Sequence, residues 1–193
     1  MFKIICVTNR HLCGGLKEKA AELYKAGIPV ILREKDLPDA EYKKLANKVI
    51  EVCPDVILHT YTDTAKRLGV RKIHLPFSMI NEDIKRDFDI VGVSVHSPVE
   101  AQTAERKGAD YVTAGHIFVT DCKKGLEPRG LEFLRETVRS VNIPVYAIGG
   151  INPENIALIQ ETGAAGACIM SGFMQCGDTE KYLAEIYQNL LKK

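Results

Sequence analysis

Eight short apolar runs recur along this chain, and no other feature constrains its fold as much. They are FKIICVTN, IPVILREK, DVILHTY, RKIHLP, DIVGVSVH, DYVTAGHI, IPVYAIGG and AGACIMSG. Their β-branched content and length read as strands. Amphipathic stretches with helical spacing lie between them, such as LKEKAAELYKAG and EYKKLANKVIEV, and several end at a glycine, as helix C-termini prefer. SPVEAQTAERKG and NPENIALIQETG each open on a Ser or Asn N-cap with a proline in the first turn. The third and fourth units are short, so their helices carry the weakest pattern. Strands alternating with helices, most of the strands continuously apolar, predict a parallel α/β sheet covered by helices. Eight such units in 193 residues fit one compact (β/α)8 TIM barrel domain over residues 1–193. An open doubly wound sheet would use fewer strands and a G-x-G-x-x-G turn after the first. Here the first strand ends in TNRHLCGG, so the barrel is expected.

Charge excludes some partners. The 26 basic and 25 acidic residues nearly cancel, leaving no global field to attract nucleic acid or an anionic membrane. No apolar run approaches the roughly 20 residues of a membrane span, and MFKIICVTNR reads as a strand rather than a signal peptide. A cytoplasmic protein is expected. The six cysteines (Cys6, Cys13, Cys53, Cys122, Cys168 and Cys176) form no C-x-x-C pair, and several sit in apolar runs. Reduced thiols are expected rather than disulfides or zinc, with Cys122 in an exposed loop.

Barrel active sites form at the C-terminal ends of the strands, which turns position into chemistry. Those ends carry Thr8 and Asn9, then Arg33, Glu34 and Lys35, then His59 and Thr60, then His74 and Pro76. Ser94 and His96, Gly115 and His116, Gly149 and Gly150, and Ser171 and Gly172 complete the circuit. Small-residue turns after the seventh and eighth strands, here AIGGI and IMSGF, are where barrels commonly present backbone amides to a phosphate.

These residues resemble the thiamine phosphate synthase/TenI family along nearly the whole chain. The resemblance is carried by ILREK, SVHSPVEAQTAERKGADYVTAGHIF, IPVYAIGGINPENI and AAGACIMSGF. It implies a (β/α)8 barrel acting in thiamine biosynthesis, on a thiazole phosphate. Departures from the synthase pattern then choose between its activities. Ile31 stands in ILREK where the synthase has a pyrophosphate-binding glutamine. LHTYTDTAKRLG, with Asp63, lacks the Asn-Asp-Arg run, and HLPFSM lacks the acidic residue of the fourth strand end. Magnesium needs oxygen ligands and commonly uses carboxylates, so no metal and no other cofactor is expected.

GHIFVTDCKKGLEPRG instead resembles the thiazole tautomerase (TenI) form. That resemblance implies aromatisation of a carboxythiazole phosphate by proton transfer, for which histidine suits near neutral pH. His116 is the expected catalytic acid and base. Arg33, Lys35, His96, Lys123, Lys124, Gly149, Gly150, Met170, Ser171 and Gly172 are the expected substrate-binding residues. Lys123, Lys124 and Arg129 would form a cationic lid, though a solvated loop is as good a reading for each lysine. Arg33 suits a carboxylate through its planar fork, and Glu34 should turn away to pair with a neighbouring strand's base. His11 reads as a solvated loop residue. Lining and structural roles stay equally open for His59 and His74. For His96, orientation or packing is favoured over catalysis. Two alternatives remain: the magnesium-dependent synthase, and a ligand-binding regulator without turnover. A homodimer is also left open.

Overall fold

In the computed structural model, which describes residues 2–123 and 125–191, the eight apolar runs form eight parallel strands. The strands are β1 (Lys3–Val7), β2 (Val30–Leu32), β3 (Ile57–His59), β4 (Lys72–Pro76), β5 (Ile90–Val95), β6 (Tyr111–Gly115), β7 (Val145–Ile148) and β8 (Gly166–Ile169). Each pairs with the next, and β8 returns to β1 through Lys3 opposite Gly166 and Ile5 opposite Cys168, closing the barrel. The expected TIM barrel is what forms.

The helices run outside it: α1 (Leu16–Lys25), α2 (Asp39–Ile50), α3 (Thr62–Arg67), α4 (Ile84–Asp87), α5 (Pro98–Arg106), α6 (Gly130–Ser140), α7 (Ile156–Gln160), α8 (Ser171–Gln175) and α9 (Thr179–Leu191). Short 3-10 turns follow β1, β4 and β6. Nine helices among the described residues, rather than eight, reflect an added short turn, α8, between β8 and the last long helix. Side-chain alternation divides each strand between two cores. Ile4 and Cys6 pack outward against helices, whereas Ile5 and Val7 point inward with Ile31, Ile57, Tyr111, Tyr146 and Cys168. Fully burying one such aliphatic side chain contributes roughly 1.5–3 kcal/mol, so both layers hold the barrel closed.

A side-chain cap marks the start of α5 but not of α1–α4 or α6–α8. Ser97 caps α5, its hydroxyl accepting from the Glu100 N–H at 3.1 Å, with Pro98 in the first turn. The asparagine of NPENI behaves differently. Asn152 accepts from the N–H groups of Glu154 and Asn155, and the resulting turn delays α7 to Ile156. α3 and α4 span six and four residues, as their weak patterns implied. Cys6, Cys53 and Cys168 are buried, Cys13 and Cys176 half-buried, and all five are free thiols. The Cys122 side chain lies outside the described residues. No helix among those residues is long and apolar enough to cross a membrane.

Candidate active site

A cavity of about 210 Å³ opens at the C-terminal ends of the strands. Its wall brings together Arg33, Lys35, His96, His116, Lys123, Gly149, Gly150, Met170 and Ser171 from the expected set. Gly172 is not in the wall. It packs against α9, where an added Cβ would stand 2.0 Å from the Tyr182 hydroxyl. Lys124 lies outside the described residues. Arg129 does not join a lid, because its guanidinium sits over the Phe133 ring one helical turn ahead, 5.4 Å from the centroid.

The ends of β1 and β2 are locked together beside the cavity. Thr8 Oγ1 accepts from the Arg33 N–H at 2.9 Å and donates to the buried Glu34 carboxylate at 2.6 Å. Glu34 turns away from the cavity to pair with Arg10, whose guanidinium also binds Asp36 through both of its terminal nitrogens. His11 is exposed but not merely solvated, since its Nε2 lies 3.0 Å from Asp36. Arg10 and His11 together hold the Asp36 carboxyl well below the usual carboxylate range. This network fixes the strand end from which Arg33 and Lys35 project.

Polar residues pave the floor. His59 and His74 face each other across the β3–β4 register, rings stacked 5.5 Å apart. His74 Nδ1 lies 3.0 Å from the Tyr111 hydroxyl and Nε2 lies 2.8 Å from Ser94 Oγ, which Thr113 also approaches at 3.3 Å. Gly92 makes this possible, since a Cβ there would stand 2.1 Å from Tyr111 Cζ and 2.5 Å from His74 Nδ1. Burial, followed by the charge of His74, Lys35 and Arg33, pushes the His59 pKa down to about 2. Burial, then Lys35 and Arg33, pushes His74 down to about 3. Both imidazoles are therefore neutral. Of this floor, Tyr111 and Thr113 escaped the sequence reading. Tyr111 opens β6 and Thr113 lies at its middle, so neither falls at the strand ends from which the sequence reading drew its site residues.

The β6 and β7 ends interlock. Ile117 and Phe118 donate their N–H groups to the carbonyls of Ile148 and Gly149, both at 3.0 Å. His116 Nε2 lies 3.3 Å from the Leu126 carbonyl. A carbonyl only accepts, so this contact puts the ring hydrogen on Nε2 and leaves the Nδ1 lone pair to take a proton. His96 is half-exposed and its Nδ1 lies 3.5 Å from Glu100, with no hydrogen bond to His116. At the other side, Lys35 has a lowered pKa, caused by partial desolvation and then by the charges of Arg33 and Lys123. Two backbone turns complete the wall. Among the described residues, nothing accepts a hydrogen bond from the N–H groups of Gly149, Gly150 or Ser171.

The donor set does not fit magnesium. No Asp or Glu lines the cavity among the described residues, and no group of His, Cys, Asp and Glu there could hold a metal ion. Asp63 sits exposed on α3, 3.5 Å from Lys66. A hard cation that prefers carboxylate and water oxygens finds cations and imidazoles instead.

A closed parallel barrel with a cation-lined cleft at its C-terminal strand ends defines an enzyme-type (β/α)8 scaffold. Residues 4–173 match the family described as thiamine monophosphate synthase, and the chain belongs to this thiamine phosphate synthase/TenI family of thiamine-biosynthesis enzymes. Thiamine-phosphate synthase of Fusobacterium nucleatum is 32% identical, over 97% of this chain and 96% of its own. A putative thiamine-phosphate synthase 2 of Aquifex aeolicus is 34% identical, over 90% and 98%. The structure of thiamine phosphate pyrophosphorylase from Pyrococcus furiosus superposes with a TM-score of 0.84 at 30% identity, covering 98% of this chain and 95% of that one.

Proposed function

We propose that the protein is a thiazole tautomerase, which aromatises a carboxythiazole phosphate tautomer. One observation carries the reading: His116 shares a cavity with Arg33, Lys35 and Lys123, and no carboxylate lines that cavity among the described residues. In this mechanism His116 takes a proton from a ring carbon and returns one to the exocyclic carbon. The atoms and electrons of substrate and product are the same, and aromatisation supplies the driving force. Arg33 and Lys35 hold the ligand carboxylate, and the turns at Gly149–Gly150 and Ser171 receive the phosphate. Such a barrel mouth also limits water around the ionised groups, which strengthens each contact.

The relatives' names favour a second reading, condensation of a pyrimidine pyrophosphate with a thiazole phosphate to give thiamine phosphate and release pyrophosphate. That no carboxylate lines the cavity among the described residues counts against the magnesium that this reading requires. Both reactions should be assayed on the same preparation, with isomerisation measured above its uncatalysed background. Isomerisation without condensation is expected. Robust magnesium-dependent condensation would reverse the assignment.

A further inference from the structure

His59 ends β3 with only 3% of its surface exposed, yet its ring forms part of the cavity wall. Its backbone N–H is tied to the Tyr42 hydroxyl at 3.1 Å, and its ring is stacked on His74. Nδ1 lies 2.6 Å from Thr60 Oγ1, whereas Nε2 has no hydrogen-bond partner among the described residues. No fully enclosed side-chain nitrogen or oxygen of those residues lacks a partner. Nε2 therefore opens into the cavity.

Thr60 makes this arrangement more telling. Its φ is 72°, in the left-handed region that β-branched residues rarely enter. Glycine would sit there without strain, but it would lose the hydroxyl that reaches His59. That hydroxyl has no other partner among the described residues. Donating to Nδ1 satisfies both groups and places the ring hydrogen on Nε2, aimed at the ligand space. The neutral donor stands near Arg33 and Lys35, whose charges help keep it unprotonated. A neutral N–H beside two cations complements a compact anion. β3 also lies opposite β7 in the closed strand order, four strands away in either direction.

We infer that His59 is a carboxylate-binding residue of this site. Its Nε2–H, oriented by Thr60, donates to the carboxylate of a ligand whose phosphate lies across the barrel at β7 and β8. The ligand's identity rests on the tautomerase reading. The hydrogen bond itself does not require that the protein turn the ligand over.

The test uses the aromatic carboxythiazole phosphate and the same thiazole phosphate without its carboxylate. Calorimetry measures both against the parent, His59→Leu and Thr60→Gly, with isomerisation followed in parallel. The parent should prefer the carboxylated ligand about tenfold or more, as a hydrogen bond to a charged group implies. Both variants should lower that preference about tenfold, with the share supplied by Arg33 and Lys35 remaining, while affinity for the other ligand stays near parental. Thr60→Gly decides the matter should His59→Leu not fold. A parent without the preference, or a preference undiminished in the folded variants, overturns the inference. A His59-dependent preference without isomerisation leaves the inference standing and removes the tautomerase reading. Isomerisation with the preference intact in both variants does the reverse.

Discussion

A Cβ added to Gly149 would stand 2.4 Å from His116 Cβ and 2.8 Å from its Cα, so the β7 glycine gives the β6 histidine its place. Gly149 also has a φ of 103°, which an L side chain adopts only with strain. Gly149→Ala should therefore lose about 1–3 kcal/mol of stability through backbone strain and crowding. It should lower kcat and raise KM together, because it displaces the proposed acid and base and strains the turn proposed to receive the phosphate. Urea unfolding and steady-state kinetics on one preparation check both parts. A parental kcat would uncouple the two residues.

The phosphate assignment calls for a different position. Gly150 looks suitable, but its φ is 68° and a Cβ there would meet the Val119 carbonyl oxygen at 2.4 Å. Any side chain at that point disturbs the β6 loop whether or not a phosphate binds. Ser171 is exposed at the neighbouring β8 turn, so Ser171→Glu adds a negative charge at an exposed position. Inhibition by inorganic phosphate should weaken about tenfold, equivalent to about 1.4 kcal/mol, with unchanged thermal stability. Unaltered inhibition would move the phosphate elsewhere.

Metal removal should leave isomerisation intact. The cavity offers cations and imidazoles, and Asp63 is drawn away to Lys66. Activity measured before and after EDTA treatment should agree within error, and added magnesium should not raise it. A loss on chelation that magnesium restores would show that a metal is held in a way the side chains do not suggest.

The strand runs made the barrel legible, because continuous apolar stretches separated by helical periods leave few other ways to bury both faces. Strand order then assigned Arg33, His116 and Ser171 to one mouth. What remained hidden depends on distances between strands. Nothing in IPVYAIGG says that Gly149 faces His116, and nothing in DIVGVSVH says that Gly92 clears space for Tyr111. Arg129 was misplaced for a related reason. Its loop position suggested a lid, while Phe133, four residues on, offers its guanidinium an aromatic face. His59 and His74 left both readings open until the β3–β4 register stacked one on the other.

The buried imidazoles should set the acid limb of stability. The His59 pKa is pushed to about 2 by burial, His74, Lys35 and Arg33, and His74 to about 3 by burial and the same two cations. Unfolded histidine titrates near 6.5, so between that pH and the folded values the unfolded chain binds more protons. Stability is therefore full above about pH 6.5 and falls as pH drops, by up to about 1.4 kcal/mol per pH unit for each histidine. His74→Gln cannot titrate, so its stability should fall less steeply from pH 6.5 to pH 5. Urea midpoints converted to free energy at several pH values compare the two slopes directly. Identical slopes would mean that His74 is not held neutral.

His116→Asn tests the chemistry most directly. Asparagine keeps a polar side chain of similar reach but cannot take and return a proton near neutral pH. His116 is only partly buried, and its ring makes a 3.3 Å approach to the Leu126 carbonyl, so the fold should tolerate the change. General acid–base catalysis typically contributes about 10²–10⁴-fold, and kcat should fall on that order. Affinity should hold, because Arg33, Lys35 and the β7 and β8 turns are untouched and KM reflects mainly their contacts. The uncatalysed aromatisation must be subtracted at each substrate concentration, since a slow variant would otherwise seem to retain activity. Solvent deuterium incorporation at the exocyclic carbon gives a second readout, because enzyme-catalysed return of a proton should vanish with the histidine. A folded His116→Asn protein with parental kcat and parental deuterium incorporation would make His116 a structural residue. His96 would then be the cavity's remaining half-exposed imidazole and the next base to test.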